Sequence, residues 1–346
     1  MRGKPLVIVD PHFRRMDEIF SAQDRARLDD MVEVVWGKDE PMPGDAFNEA
    51  IPNAAAVICA DWRYGDEALA RADNLRAVLT VSGGFPRHLN YDYCFAKGIR
   101  VLSAAPAFAR SVAEMALALA LAASRDIAAG DRAMREGNEA WLHAGNASVF
   151  MLYGKPAGFI GYGSIGRALH PLITPFGCVV SAYDPWLTDG YLRSLGVRPV
   201  ELDALLETSK VIFVLAAPSV ENRALLSRER LERIQQGAVL VLVSRAHVVD
   251  FDALTELVAE GRFKAAIDVF PAEPISPDHP IRRAAGAVLS AHRAGATAEG
   301  CREIGEMLVD DLEAIARGLP PQRMQNAQPE LISRYMTNTI QKGKGA

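Results

Sequence analysis

Short, almost wholly apolar runs recur along the chain, separated by segments with helical spacing. The first series is LVIVD (6–10), VEVVW (32–36), AAVICA (55–60), LRAVLTV (75–81) and RVLSA (100–104). A second follows with AGFIGYG (157–163), VVSAYD (179–184), VIFVLAA (211–217), AVLVLVS (238–244), AAIDVF (265–270) and AVLSAH (287–292). Runs of this length, rich in β-branched residues, predict strands buried on both faces. Between them lie amphipathic stretches such as DEALARADN, RERLERIQQG and FDALTELVAEG, the last two closing on the glycine that commonly ends a helix. Strands alternating with helices predict parallel sheets covered on both sides, hence an α/β protein.

Two such series predict two doubly wound parallel-sheet domains. The break falls around SAAPAFARSVAE (103–114), where small residues and Pro106 precede a long apolar helix. The stretch 297–318 reads as one long helix that crosses back to the first domain, with a weakly structured end over 319–346. The domains are therefore expected at 1–106 with 297–346, and at 107–296, the second inserted into the first.

Composition narrows the picture. A length of 346 residues with 49% hydrophobic content supports two cores. A net charge of -5 gives no overall attraction to nucleic acid or anionic membranes. Cys59, Cys94, Cys178 and Cys301 lie far apart, with no metal-binding spacing, so no metal site is expected and a reducing, cytoplasmic setting is. The N-terminal apolar run is five residues long and ends in Asp10, which reads as a strand rather than a signal peptide. In the helical stretch 111–130, Glu114 and Arg125 bracket a run well short of the ~18 residues that span a bilayer, so a buried helix in a soluble protein is expected.

The first candidate chemistry is GFIGYGSIGRALH, which places Gly161, Gly163 and Gly166 in GxGxxG spacing after a strand and at the start of a helix. The first glycine makes the tight turn, the second admits a pyrophosphate to the backbone, and the third lets helix pack on strand. Asp184 ends the next strand, where a carboxylate would take both ribose hydroxyls of an adenosine. Pro185 and Trp186 follow it and offer no cation for a 2′-phosphate, which favours NAD(H) over NADP(H). Pro171 should kink the helix after His170.

The second is the run 238–244 leading directly into Arg245 and His247. An arginine fork suits a carboxylate, and a histidine can exchange a proton near neutral pH, so Arg245, His247, both or neither carries chemistry as far as this run alone goes.

Together SVAE (111–114), the mid-chain glycine loop, SRAHVVDFDAL (244–254), IDVFPAEP (267–274) and SAHRAGAT (290–297) resemble the D-isomer-specific 2-hydroxyacid dehydrogenase family, which includes glyoxylate/hydroxypyruvate reductases and phosphoglycerate dehydrogenases. The resemblance runs over roughly residues 5 to 318. It implies a Rossmann NAD-binding domain inserted into a flavodoxin-like substrate domain, and NAD(H)-dependent interconversion of a 2-oxo acid and a D-2-hydroxy acid. It implies a catalytic trio of Arg245, Glu273 and His292, in which Arg245 binds the substrate and His292, paired with Glu273, exchanges the proton. Beside the glycines and Asp184, it implies cofactor contacts from Ser164, Ile165, Ala217, Pro218, Val243, Ser244, Arg245, Asp268 and His292. The loop with Gly83, Gly84 and Phe85 is implied to hold the substrate carboxylate, and a homodimer through the cofactor domain is the family default. The same fold also serves as an NAD-sensing, corepressor-like binding module, the alternative reading.

Two departures stand out. Ala246 follows the arginine where the family has glycine, so that turn must avoid positive φ or carry strain. Phe85 stands where a small residue is common and should narrow the pocket, while Pro86 removes an amide. His247 is read as structural, on Arg245's face if the chain stays extended.

Overall fold

The computed structural model describes residues 3–217, 219 and 221–336. Its strands, in chain order, are β1 (Leu6–Asp10), β2 (Glu33–Trp36), β3 (Ala54–Cys59), β4 (Ala77–Thr80), β5 (Arg100–Ser103), β6 (Pro156–Ile160), β7 (Val179–Tyr183), β8 (Arg198–Pro199), β9 (Val211–Val214), β10 (Val239–Leu242), β11 (Lys264–Ile267), β12 (Ala287–Leu289) and β13 (Gln325–Asn326). Every apolar run named above holds a strand, and several end before the run does, as at Leu215–Ala217 after β9. The two-residue strands β8 and β13 carry no apolar run and were not expected.

The chain divides into two compact units, Met1–Phe108 with Thr297–Ala346, and Ala109–Ala296. In the first, the sheet order is β13-β5-β4-β3-β1-β2, with every pairing parallel except β13 on β5. Without β13 this is the flavodoxin-like order 2-1-3-4-5. Alternate residues feed opposite faces: Val7, Val9, Ile58 and Leu79 enter one core cluster, while Ile8, Val57 and Val78 enter the other.

The second unit has an all-parallel sheet in the order β12-β11-β10-β9-β6-β7-β8. Counted within the unit, its first six strands run 3-2-1-4-5-6, the dinucleotide-binding order. All four residues of β9 and of β10 are buried, which is why their sequences lack a polar alternation. The order reverses at β6, and the loops after β6, β7, β9, β10, β11 and β12 gather along one edge.

Three local expectations need correction. The segment read as one helix over 111–130 is a helix Ala109–Ser124, a break at Asp126 with φ 53°, and a second helix Ile127–Glu136. Ala105–Ser124 is also long and apolar enough to cross a membrane, with a mean hydropathy of 1.4, contrary to the shorter run read above. Half of it is buried, and Ala109–Ser124 packs against Ser164–Ile173, β10 and β11 as a core helix does. Pro171 lies inside a helix that runs to Ile173, where His170 O accepts from both Thr174 N and Thr174 Oγ1. The end expected to be weakly structured holds β13 and a helix, Pro329–Met336.

One carboxylate explains the ordered tail. Asp311 is fully buried in the helix Ala298–Ala316 and accepts from Gln322 N at 2.6 Å, Arg323 N and Met324 N at 2.8 Å. Those bonds satisfy a buried charge and turn the chain onto β5. The same helix is capped by Thr297 Oγ1, and it seats Gly305 so tightly on the Ile19 carbonyl that no β-carbon fits.

Candidate active site

The glycine loop joins β6 to the helix Ser164–Ile173. Gly161 has φ 91°, and a β-carbon there would lie 2.8 Å from the Ala216 backbone. Nothing lies within 4 Å of a β-carbon placed on Gly163, the residue that caps the helix, so its backbone is open to a ligand. Gly166 sits on the Gly161 carbonyl, at 3.3 Å from a β-carbon, and lets helix approach strand. Ser164 and Ile165 form the helix's first turn, with amide groups not needed inside the helix.

Asp184, just past β7, is half-buried. Its Oδ2 accepts from Tyr162 N at 2.8 Å and its Oδ1 from Trp186 N at 2.9 Å. The carboxylate is thereby fixed at the end of the loop, and each oxygen retains lone-pair capacity for a hydroxyl. Beneath the loop, the buried Tyr162 hydroxyl lies 2.7 Å from His170 Nδ1, and burial holds that imidazole below its usual range. Neither residue stood out in the sequence, because a tyrosine inside a glycine motif signals nothing by itself.

Past β9, Asn222 shapes the connecting loop by donating to Ala217 O at 2.5 Å and accepting from Ser219 N at 2.9 Å. Asn222 also escaped the sequence reading, and Pro218 lies outside the described residues. Val243 and Ser244 are buried at the end of β10, and Ser244 Oγ has no hydrogen-bond partner among the described residues.

Arg245 is extended (φ -149°, ψ 139°), and its Nη1 donates to Ser244 O at 2.7 Å. A 3-10 turn over Ala246–Val248 follows, so Ala246 avoids positive φ and the glycine is dispensable. Because the chain turns there, His247 does not continue an extended strand beyond Arg245. Its carbonyl accepts from Ala224 N at 2.8 Å, and burial, then the charges of Arg245 and Arg223, hold its ring below the usual imidazole range.

Glu273 and His292 come from the loops after β11 and β12. His292 Nδ1 is 2.6 Å from Glu273 Oε2, while Glu273 Oε1 accepts from Phe270 N at 3.0 Å. Partial burial pushes the Glu273 carboxyl up. The hydrogen bonds from His292 and Phe270 N, with the charges of His292 and Arg245, outweigh that and leave it below its usual range. Arg245, Glu273 and His292 therefore share one electrostatic neighbourhood within the second unit.

The backbone of His292 is left-handed, with φ 52°, a conformation that costs a non-glycine residue about 1–3 kcal/mol. Asp268 holds it there. His292 N donates to Asp268 O at 2.8 Å, and the fully buried Asp268 carboxylate accepts from Arg293 N at 2.9 Å and Ala294 N at 3.1 Å. Asp268, a residue expected to contact the cofactor, has both its oxygens bonded to the turn that carries the histidine.

The family model described as "D-isomer specific 2-hydroxyacid dehydrogenase, NAD binding domain" matches residues 117–294. The chain belongs to that family. It is 33% identical to D-3-phosphoglycerate dehydrogenase of Mycobacterium bovis over 85% of its own length and 54% of the relative's. It is 32% identical to glyoxylate reductase of Korarchaeum cryptofilum, over 88% of this chain and 92% of the reductase. Among solved structures, a phosphoglycerate oxidoreductase from Rhizobium etli is similar with a TM-score of 0.85 at 36% identity, covering 95% of this chain and 100% of the other. The chain spans about half the length of the phosphoglycerate dehydrogenases it matches.

A nicotinamide dinucleotide fits these residues. Gly163 leaves its backbone open, Asp184 is fixed as a hydroxyl acceptor, and Ser244 supplies a buried hydroxyl that lacks a partner among the described residues. No cluster of metal-ligating side chains occurs among the described residues.

The expected substrate loop lies in the first unit, after β4. Gly83 and Gly84 are exposed, and Ser82 O is held by Thr80 Oγ1 and Ser103 Oγ. Phe85 is half-buried and packs on the core cluster that contains Leu89 and Tyr91. The ring set over the loop is Phe108, 3.3 Å from a β-carbon placed on Gly83.

Proposed function

We propose that this protein is an NAD(H)-dependent oxidoreductase that interconverts a 2-oxo acid and the corresponding D-2-hydroxy acid. The observation that carries the reading is the 2.6 Å pairing of His292 Nδ1 with Glu273 Oε2, within the field of Arg245 and on the sheet edge that holds the glycine loop. A structural histidine needs no such company.

The bound nicotinamide supplies or accepts the hydride. Gly161, Gly163, Ser164, Ile165 and Gly166 hold the pyrophosphate, Asp184 the adenosine ribose, and Ala217, Val243 and Ser244 the nicotinamide half. Glu273 keeps the proton on Nδ1, which leaves Nε2 of His292 to deliver a proton to the carbonyl oxygen as it becomes a hydroxyl, and to remove it in the reverse direction. Arg245 fixes the substrate carboxylate and polarises the keto oxygen through its planar fork. Asp268 acts one step away by holding the histidine's turn. The Gly83–Gly84 backbone supplies further donors to the carboxylate.

The test is oxidation of NADH and of NADPH against a panel of 2-oxo acids. Turnover with NADH is expected, and Asp184→Ala should weaken NADH binding by about tenfold to a hundredfold, the worth of one or two hydrogen bonds to a charged acceptor. An absence of turnover with every acid, or a preference for NADPH, would overturn the reading.

A homodimer through the cofactor unit forms part of this proposal. Ile127, Met134, Trp141, Leu142, Met151 and Tyr153 are all more than half exposed within one stretch of the second unit. Large apolar side chains exposed in such number within one stretch are what a protein interface covers. The stretch is anchored at its base, where Lys264 Nζ binds Asp126 Oδ1 at 2.5 Å and Ser148 O at 3.0 Å. Sedimentation should show a dimer that Trp141→Asp with Leu142→Asp converts to monomer. A monomeric parent protein at micromolar concentration would contradict it.

A further inference from the structure

We infer that Arg14 is a second anion receptor, so that the preferred substrate is a 2-oxo acid bearing another acidic group at its far end. The inference rests on the oxidoreductase reading and on the loop after β4 as the carboxylate site.

Arg14 follows β1 at the C-terminal edge of the first unit's sheet, where ligands of open α/β sheets bind. It is only half-buried, and its Nε donates to Val81 O at 3.1 Å, the residue that opens the Gly83–Gly84 loop. Its Nη1 donates to Cys301 Sγ at 3.2 Å. The guanidinium carbon stands 5.3 Å from the Phe13 ring and 5.5 Å from the Phe108 ring, and Phe108 also covers Gly83. The arginine is therefore held by a carbonyl, a neutral thiol and two aromatic faces.

Among the described residues, no carboxylate pairs with it. Its neighbour Arg15 pairs with Asp17 and Asp39, and the half-exposed Arg63 pairs with the buried Asp10. Partly buried arginines normally acquire such a partner, because an isolated charge is poorly solvated there. Aromatic faces keep the guanidinium cationic without neutralising it. Both N–H groups of Nη2 and one of Nη1 stay available, a fork that matches a carboxylate or a phosphate. A second anion beside the loop that takes the first would complete the charge balance.

The experiment compares matched pairs in the intact enzyme with NADH: 2-oxoglutarate against 2-oxohexanoate, and 3-phosphohydroxypyruvate against hydroxypyruvate. The member with a second acidic group should have a kcat/KM at least tenfold higher in one or both pairs, and which pair responds distinguishes carboxylate from phosphate. That ratio should collapse toward one in Arg14→Gln and survive in part in Arg14→Lys. Equal kcat/KM within both pairs in the parent enzyme overturns the inference whether or not the variants fold, as does an unchanged ratio in Arg14→Gln. If no acid is turned over, the function reading fails instead. Calorimetry of 2-hydroxyglutarate against 2-hydroxyhexanoate on the NADH complex then decides the inference by itself, since equal binding overturns it.

Discussion

Replacing His292 by Asn is expected to lower kcat by roughly a hundred- to ten-thousandfold, the usual worth of a positioned proton donor, while NADH affinity stays within a few-fold. The asymmetry arises because Nε2 acts on the reacting oxygen, whereas the dinucleotide is held mainly by the glycine loop and Asp184. Asparagine also tolerates the left-handed backbone at this position, so the Asp268 turn should survive the change. Stopped-flow reduction with fluorescence titration of NADH separates the two quantities. Activity near that of the parent would remove His292 from the mechanism and leave the cofactor site standing.

Glu273→Gln probes the same pair from the other side. The Glu273 carboxyl is depressed in the folded protein, so the stability it contributes is fully present above the ordinary carboxylate range and is lost as pH falls through its lower folded value. At neutral pH it is an anion against Nδ1. The neutral amide can still meet Nδ1 but brings no negative charge, so kcat should fall, though less than in His292→Asn. A kcat equal to the parent's would remove Glu273 from the mechanism.

Replacing Arg245 by Gln is expected to reduce kcat/KM by about 30-fold to a few thousandfold, the equivalent of the 2–5 kcal/mol typical of deleting one partner of a desolvated, hydrogen-bonded charge pair. Both KM and kcat should suffer, because the arginine holds the carboxylate in the ground state and polarises the keto oxygen in the transition state. The side chain is braced by Ser244 O, and its extended backbone precedes a 3-10 turn that needs no glycine. The loss should therefore reflect lost contact with substrate rather than a collapsed loop. Circular dichroism and NADH titration check the latter. A rise in KM with kcat untouched would limit Arg245 to uniform binding, and no change in either would remove it from the site.

The strands were legible because parallel strands covered on both faces must be continuously apolar, and β9 and β10 are. The glycine loop was legible because backbone approach and helix packing exclude a side chain at fixed intervals. Arg245, Glu273 and His292 were named through their resemblance to a known family rather than through any local pattern. What stayed hidden involves partners distant in sequence. Nothing near Asp268 says that its carboxylate would hold the turn after residue 292, and nothing near Asp311 says that it would order a tail lacking apolar runs. Likewise nothing near Phe85 says that it would pack on the core cluster that contains Leu89 and Tyr91.

The sequence alone determined the α/β class, the two strand series and the place of the dinucleotide loop, because burial and backbone sterics act over a few neighbouring residues. Only the tertiary structure decided the orders 2-1-3-4-5 and 3-2-1-4-5-6-7, the left-handed seat of His292 and a setting for Arg14 in which no carboxylate among the described residues meets it. Each of those depends on which distant groups meet to satisfy a hydrogen bond or leave a charge without a partner, and no local pattern carries that information.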